Sequence, residues 1–190
     1  MFEVKRPQYL VLIPIGFIIG FSFLFYYLTP AAIIGFIGVQ NAYALMFILA
    51  LLGGLTTFSG IPYHIVLIAL AAGGLNPILL GVSAGIGVIL GDSTSYYIGH
   101  EGRVLVTGRL RAALDRLSKI QETYPRLLPW VFFLFSALMP ISNDVLVIPA
   151  GLIGYPYRRM IIPLALGNIV FNTGVALLAV YAYGFLQAFL

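Results

Sequence analysis

Long apolar runs alternate along the chain with short polar breaks, and the lengths of these runs predict helices in a membrane. The run from Tyr9 to Leu28 has 20 residues, about the length of one bilayer crossing. The other apolar runs cover residues 31–53, 61–74, 77–98, 127–138, 144–155 and 160–190. Several have only about 10–14 residues, which is typical of re-entrant or interfacial segments. The pattern therefore predicts an all-α membrane protein that combines crossing helices with shorter ones.

Two halves of the chain match at an offset of 80 residues. The polar and glycine pairs are His64 with Asp144, Gly74 with Gly154, Gly87 with Gly167, and Asp92 with Asn172. Chance is the alternative for the glycine matches, because 21 of the 190 residues are glycine. The polar matches are more specific, since polar residues are scarce in these runs. Repeated helices with polar breaks are a common construction of membrane transporters.

The composition is that of an integral membrane protein rather than of a soluble domain. Hydrophobic residues make up 61% and charged residues 8%, whereas a soluble domain has about 25% charged residues. The chain has no cysteine, which excludes disulfides and thiolate metal sites. No nucleophile motif or phosphate-binding glycine loop is present, so we expect neither an enzyme nor a bound cofactor or metal. Six of the ten Lys and Arg residues lie between Arg103 and Arg126, which indicates a cytoplasmic loop rather than a nucleic-acid surface.

The position of this basic segment sets the expected topology. Three simple crossings at 9–28, 31–53 and 76–98 would place it outside, against the positive-inside rule. If residues 31–74 instead form a hairpin that enters from outside, with its tip near 54–62, the segment lies inside. Residues 126–155 then form a second hairpin from the inner face, with its tip near 139–143. This arrangement makes the two repeats inverted, with two opposed re-entrant helical hairpins.

We therefore expect one membrane domain of four parts in a multi-pass protein of the plasma membrane, with the N-terminus inside. Residues 9–28 form a crossing helix, since a signal peptide has a shorter apolar core. Residues 31–98 and 126–188 are the two repeats, each a hairpin plus a crossing helix. Residues 103–121 are predicted to form an amphipathic helix on the inner membrane surface, or alternatively a solvated connector. The residues that break the helices at the hairpin tips are Gly60, Pro62 and Pro140.

Three ionisable residues fall within the predicted membrane depth: His64, Asp92 and Asp144. Such groups are costly in a bilayer and are functional candidates by default. His64 and Asp144 follow the two tips and are expected to face each other, as a pair suited to proton coupling. The alternative is a satisfied polar pair that caps broken backbone without transport.

Asp92, Ser95 and Tyr96 share one helix face by their spacing. That face is expected to line a polar cavity, with Asn172 at the equivalent position of the second repeat. The alternative is a hydrogen-bonded cluster at a helix end with interfacial tyrosines. Trp130, the single tryptophan, fits an interfacial anchor.

Three stretches of the chain, 60–76, 91–99 and 133–154, resemble the DedA/VTT family, also called SNARE-associated Golgi proteins. The resemblance implies a fold with two opposed re-entrant hairpins and a lipid-handling function. Family members are scramblases or carriers of polyprenyl-phosphate, often dependent on the proton motive force. Asp92 matches the family's acidic position, but His64 replaces a usual glutamate. Ala137 and Asn143 stand where the family usually has arginines, which removes the obvious partners of a phosphate.

We therefore expect a flippase or scramblase of membrane lipids, most plausibly of polyprenyl-phosphate or a phospholipid. The headgroup would enter between the hairpin tips, and Arg158 and Arg159 could hold it at the inner surface. The expected substrate or proton pathway consists of His64, Asp92, Ser95, Tyr96, Asn143, Asp144 and Asn172. Two alternatives are a proton-coupled carrier of a small solute or ion, and a non-transporting membrane scaffold.

Overall fold

The computed structural model describes residues 30–55 and 63–187, and this part of the chain is helical without any β-strand. A short 3₁₀ helix covers Arg103–Leu105. The eight α-helices are α1 (Pro30–Ile37), α2 (Val39–Leu55), α3 (Tyr63–Ala72), α4 (Pro77–Gly102), α5 (Gly108–Thr123), α6 (Leu128–Leu138), α7 (Asp144–Leu152) and α8 (Tyr157–Gln187). The prediction of an all-α fold is confirmed. The predicted helix at 9–28 and the predicted breaks at Gly60 and Pro62 lie outside the described residues.

Two of these helices are long and apolar enough to cross a membrane. The candidate spans are Pro77–Leu105 and Tyr157–Phe185, each of 29 residues, with mean hydropathies of 1.5 and 1.9. The neighbouring helices α3, α6 and α7 have 10, 11 and 9 residues. At 1.5 Å per residue these three are about 14–17 Å long, roughly half the thickness of a bilayer core.

The two long helices, α4 and α8, cross at the centre of the fold and run antiparallel. Gly81 of α4 lies against Thr173 of α8, while Gly85 lies against Ile169, so positions rise along one helix as they fall along the other. The shorter helices pack around this central pair, and one from each half of the chain packs on the long helix of the other half, an arrangement called here exchanged packing. Helices α2 and α7 pack on α4, whereas α6 and α3 pack on α8. Helix α3 therefore packs on the long helix of the second half of the chain, and α7 packs on the long helix of the first half.

Equivalent glycines let α2 approach α4 closely and let α6 approach α8 closely. A Cβ atom on Gly87 of α4 would lie 2.5 Å from the Phe47 carbonyl oxygen of α2. A Cβ atom on Gly167 of α8 would lie 2.5 Å from the Phe133 carbonyl oxygen of α6. Only glycine leaves room for backbone contact at these two positions, which are 80 residues apart.

Helices α3 and α7 also end in the same way. Gly74 and Gly154 follow them with φ angles of +97° and +70°. In both cases the N–H of the next residue donates to a carbonyl five residues back, at 3.2 and 2.9 Å. This is a Schellman ending, in which a left-handed glycine lets the chain turn and satisfies the last carbonyls. The 80-residue match therefore corresponds to matched local structure as well as matched residues.

The first repeat differs from its prediction near its start. The run 31–53 was expected to form one segment, but a break separates α1 from α2 at Gly38. Gly38 has a φ of +84°, which a helix interior does not allow.

The amphipathic segment is helical, but it begins later than the predicted residue 103. The 3₁₀ helix comes first, and Gly108, with a φ of +63°, opens α5. Among the apolar residues of this segment, Val106 and Leu114 are buried, whereas Leu117 and Ile120 are 40% and 48% exposed. Protein contacts therefore cover only part of its apolar side chains.

The buried face of each long helix is apolar at both ends and polar in the middle. On α4 the buried positions, four residues apart, are Leu80, Ala84, Val88, Asp92 and Tyr96. On α8 they are Met160, Leu164, Asn168, Asn172 and Ala176. The apolar ends belong to two separate hydrophobic clusters, one around α2 and α3 and one around α6 and α7. A polar layer thus separates two cores at the midpoint of the crossing.

Candidate functional site

A cavity of about 220 Å³ opens at this polar layer. Its polar lining residues are Tyr63, His64, Asp92, Ser136, Ser142, Asn143 and Asn168. Residues 139–143 connect α6 to α7 without helical structure and form one wall of the cavity. Pro140 lies in this wall. The end of α6, the start of α7 and the middle of both long helices therefore meet at one place.

Three buried side chains form a hydrogen-bonded cluster beside the cavity. Asn143 Nδ2 donates to Asp92 Oδ2 at 2.8 Å and to Asn168 Oδ1 at 3.0 Å. Asn168 Nδ2 donates to the same Asp92 oxygen at 3.4 Å. The three residues are 2–7% exposed. A buried carboxyl is retained at modest cost only when such donors satisfy it, and here both amide groups serve that purpose.

The chemistry of these groups fixes the orientation of each amide. Carboxylate and carbonyl oxygens only accept, so the NH₂ groups of Asn143 and Asn168 must point at Asp92. Asn172 Nδ2 donates to the Asn168 backbone carbonyl at 2.8 Å. Its buried Oδ1 consequently faces away and has no hydrogen-bond partner. The hydroxyl of Tyr63 lies beside the Asn172 side chain. At the offset of 80 residues Tyr63 corresponds to Asn143 and Asn172 to Asp92, and these two side chains are also in contact.

His64 and Asp144 occupy equivalent positions near the starts of α3 and α7, but the expected pair between them is not formed. The His64 ring lies against the Tyr63 ring, with centroids 3.9 Å apart and a tilt of 31°, and meets Phe171 edge-on at 5.7 Å. Its Nε2 atom is buried without a hydrogen-bond partner. Asp144 is 6% exposed, its Oδ1 is also unpaired, and it lies near Asp92. The reason is the exchanged packing, which directs each residue toward the long helix of the opposite repeat.

The helix face of Asp92, Ser95 and Tyr96 serves both roles considered for it, the lining of a cavity and a hydrogen-bonded cluster toward the helix end. All three side chains are buried, and Asp92 lines the cavity. The Tyr96 hydroxyl instead donates to the Tyr155 backbone carbonyl at 2.7 Å. Its ring belongs to an aromatic cluster with Tyr97 and Tyr157. Asp92 therefore fits the cavity interpretation, and Tyr96 fits the interpretation of a cluster toward the helix end.

The two arginines expected to hold a headgroup lie away from the cavity. Arg158 and Arg159 are exposed at the start of α8. They precede Asn168 by about 9–10 residues, so they lie roughly 15 Å along the helix axis from the polar layer. They could contact a group at the surface but not one inside the cavity.

Asn168, Ser136 and Tyr63 are cavity residues that the sequence reasoning did not select. Asn168 had a usable signal, because it precedes Asn172 by four residues and shares its helix face. Ser136 donates to the carbonyls of Phe132 and Leu164 at 2.8 and 3.1 Å, a role that spacing does not reveal. Within the described ranges, no group of three or more His, Asp or Glu side chains is suited to hold a metal ion.

Comparisons with other proteins add no identification to this geometry. No protein-family model matches the chain, and neither curated proteins nor solved structures show significant similarity to it.

Proposed function

We propose that this protein transports lipids across a membrane, as a flippase or scramblase with an inverted repeat of two re-entrant hairpins. The observation that carries the proposal is the polar cavity at the midpoint of two helices of membrane-crossing length. In a bilayer, buried polar side chains at this depth mark substrate or ion pathways. The headgroup enters the cavity between the hairpin tips, while the acyl or prenyl tail remains among the lipids.

The matched packing supports the inverted repeat. Helices α2 and α3 relate to α4 and α8 as α6 and α7 relate to α8 and α4. An antiparallel central pair is what two copies inserted with opposite orientation would give. The short helices with a non-helical connection beside the cavity also fit re-entrant hairpins, because irregular backbone at membrane depth needs protein or water partners.

The other parts of the proposal rest on the sequence. The basic segment between Arg103 and Arg126 supports a position of α5 on the cytoplasmic side of the plasma membrane. The resemblance to the DedA/VTT family supports a lipid substrate, either a phospholipid or a polyprenyl-phosphate. A polyprenyl-phosphate is the less favoured of the two, because the arginines that would hold it are absent from positions 137 and 143.

Reconstitution into liposomes tests this proposal. Purified protein should accelerate the movement of acyl-labelled phospholipids to the outer leaflet, where dithionite bleaches them. His64→Ala combined with Asp144→Ala should slow this movement. The matched control is His100→Ala with Asp115→Ala, since these residues belong to the same types and lie outside the cavity. If the first double variant transports lipid at the control's rate, the cavity is not the pathway.

A second candidate function is a proton-coupled carrier of a small solute. The observation that favours it is the closeness of Asp92, Asp144 and the unpaired Nε2 atom of His64 to one cavity. Such groups can exchange protons with a substrate path. This function requires proton flux driven by a solute gradient in liposomes whose lipids do not move. A scaffold, the third alternative, requires neither flux.

A further inference from the structure

The described lining of the cavity contains a buried carboxyl and no permanently charged cation. Among the described lining residues none is Lys or Arg. In the described part of the chain, the Asp92 carboxyl lines the cavity, the Asp144 carboxyl lies near Asp92, and His64 is the one basic side chain of the lining.

Some donors of the lining are used within the protein, whereas the hydroxyls of Tyr63 and Ser142 and the His64 ring remain as further donors. The NH₂ groups of Asn143 and Asn168 point at Asp92, and Ser136 donates to backbone carbonyls. Asp144 lies near the cavity-lining Asp92, and its buried Oδ1 has no donor. A phosphate group would lie beside the carboxyls of Asp92 and Asp144, and the described lining has no Lys or Arg to offset its charge. A group that brings N–H donors and positive charge would complement this layer.

We propose that the cavity binds primary ammonium groups and discriminates against anionic headgroups, so that the transported lipid is an aminophospholipid of the phosphatidylethanolamine type. This inference rests on the proposed function for its lipid source. Its chemistry, a primary ammonium beside Asp92, applies equally to a free amine. A quaternary ammonium fits less well, because it has no N–H group to donate to the Asp92 carboxyl.

The inference can be tested with three acyl-labelled lipids in separate liposomes: phosphatidylethanolamine, phosphatidylcholine and phosphatidylglycerol. The labels sit on the tails, so the headgroups remain unmodified. We expect phosphatidylethanolamine to move about tenfold faster than phosphatidylglycerol, which corresponds to about 1.4 kcal/mol. Phosphatidylcholine should fall between them. Equal rates for the three lipids, or a faster rate for phosphatidylglycerol, would overturn the inference and leave lipid transport intact.

Variants tie the selectivity to the cavity. Asp92→Asn removes the charge with little change of shape, and the ratio of the two rates should fall toward one. Asp115→Asn, on the exposed face of α5, is the matched control and should keep the ratio. Ser142→Arg adds a guanidinium at an exposed position of the cavity wall and leaves Asp92 in place. It should also lower the ratio, and it carries the test if Asp92→Asn fails to fold. An unchanged ratio in a folded Ser142→Arg protein would overturn the inference.

A binding measurement separates this inference from the proposed function. Ethanolammonium chloride should raise the unfolding temperature of the purified protein more than equal concentrations of glycerol or choline chloride. If no lipid moves but this stabilisation is seen and is lost in Asp92→Asn, the proposed function fails and the ammonium site stands. If lipid does move without selectivity and ethanolammonium does not stabilise the protein, the ammonium site fails alone.

Discussion

Replacing Gly87 or Gly167 by alanine should destabilise the protein, and by similar amounts. The new Cβ would lie 2.5 Å from a backbone carbonyl oxygen in each case, against 3.4–4 Å for ordinary contact. The two helices must then separate by about 1 Å, because a backbone oxygen in a helix cannot rotate away. Overpacking of this kind costs about 1–3 kcal/mol. From the middle of this range, about 2 kcal/mol, the helix propensity of alanine returns up to about 1 kcal/mol, which leaves a net loss of about 1–2 kcal/mol.

Thermal unfolding in detergent micelles would measure this loss. For a chain of this size about 1 kcal/mol corresponds to roughly 2–4 °C, so we expect midpoints lower by about 2–8 °C. Gly174→Ala is the matched control on α8, because a Cβ there meets no atom within 4 Å. That variant should be neutral or slightly stabilised. If Gly87→Ala or Gly167→Ala unfolds at the temperature of Gly174→Ala, the close helix contact is absent and the reasoning is wrong.

The Gly167 site allows a second check. A Cβ at this position would also meet the hydroxyl of Ser136, a side-chain contact that a second substitution can remove. Adding Ser136→Ala should restore little stability, because the Phe133 carbonyl oxygen remains 2.5 Å away. Full recovery in the double variant would show that the side chain, and not the backbone, limits the approach of α6 to α8.

Three further predictions concern the polar layer, a helix start and the membrane surface. Asn143→Ala removes two hydrogen bonds and leaves Asp92 less satisfied, so thermal unfolding should show a loss of about 1–3 kcal/mol; Asn41→Ala, at an exposed site, should cost less than about 0.5 kcal/mol. Asn76→Ala removes the side-chain oxygen that accepts the first two N–H groups of α4 and should cost about 0.5–2 kcal/mol, whereas Ser at this position should restore most of it. Trp130 is 63% exposed and is the single tryptophan. Brominated lipids should therefore quench its fluorescence strongly, with the largest effect for bromines near the headgroup. Equal quenching by deep and shallow bromines would contradict an interfacial position.

The helical fold could be predicted because its signals are local. Run lengths and composition indicate helices without any knowledge of contacts. The 80-residue match also identified Gly74 with Gly154 and Gly87 with Gly167, and each pair has the same role in the structure. These residues are constrained by backbone geometry, so their identity records the local conformation.

The site was predicted only in part, because its geometry depends on which helix packs on which. Asp92 lines the cavity as expected. The pairing of His64 with Asp144 was wrong, since matched positions in a repeat need not face each other. The exchanged packing separates them and brings Asn143 to Asp92 instead. No spacing in the sequence distinguishes these arrangements, because the separations involved exceed 50 residues along the chain.

The exchange of short helices between the two long ones has a consequence for assembly. Helix α7 buries its apolar face on α4, and α3 buries its face on α8, so neither half of the chain holds a complete core. The exposed α5 is the main link between the halves and contacts them sparingly. Proteolytic cleavage within α5 should therefore leave two fragments that remain associated and copurify, whereas either fragment produced alone should be unstable. The packing of α3 and α7 on the opposite long helices, rather than the continuity of the chain, holds the two halves together.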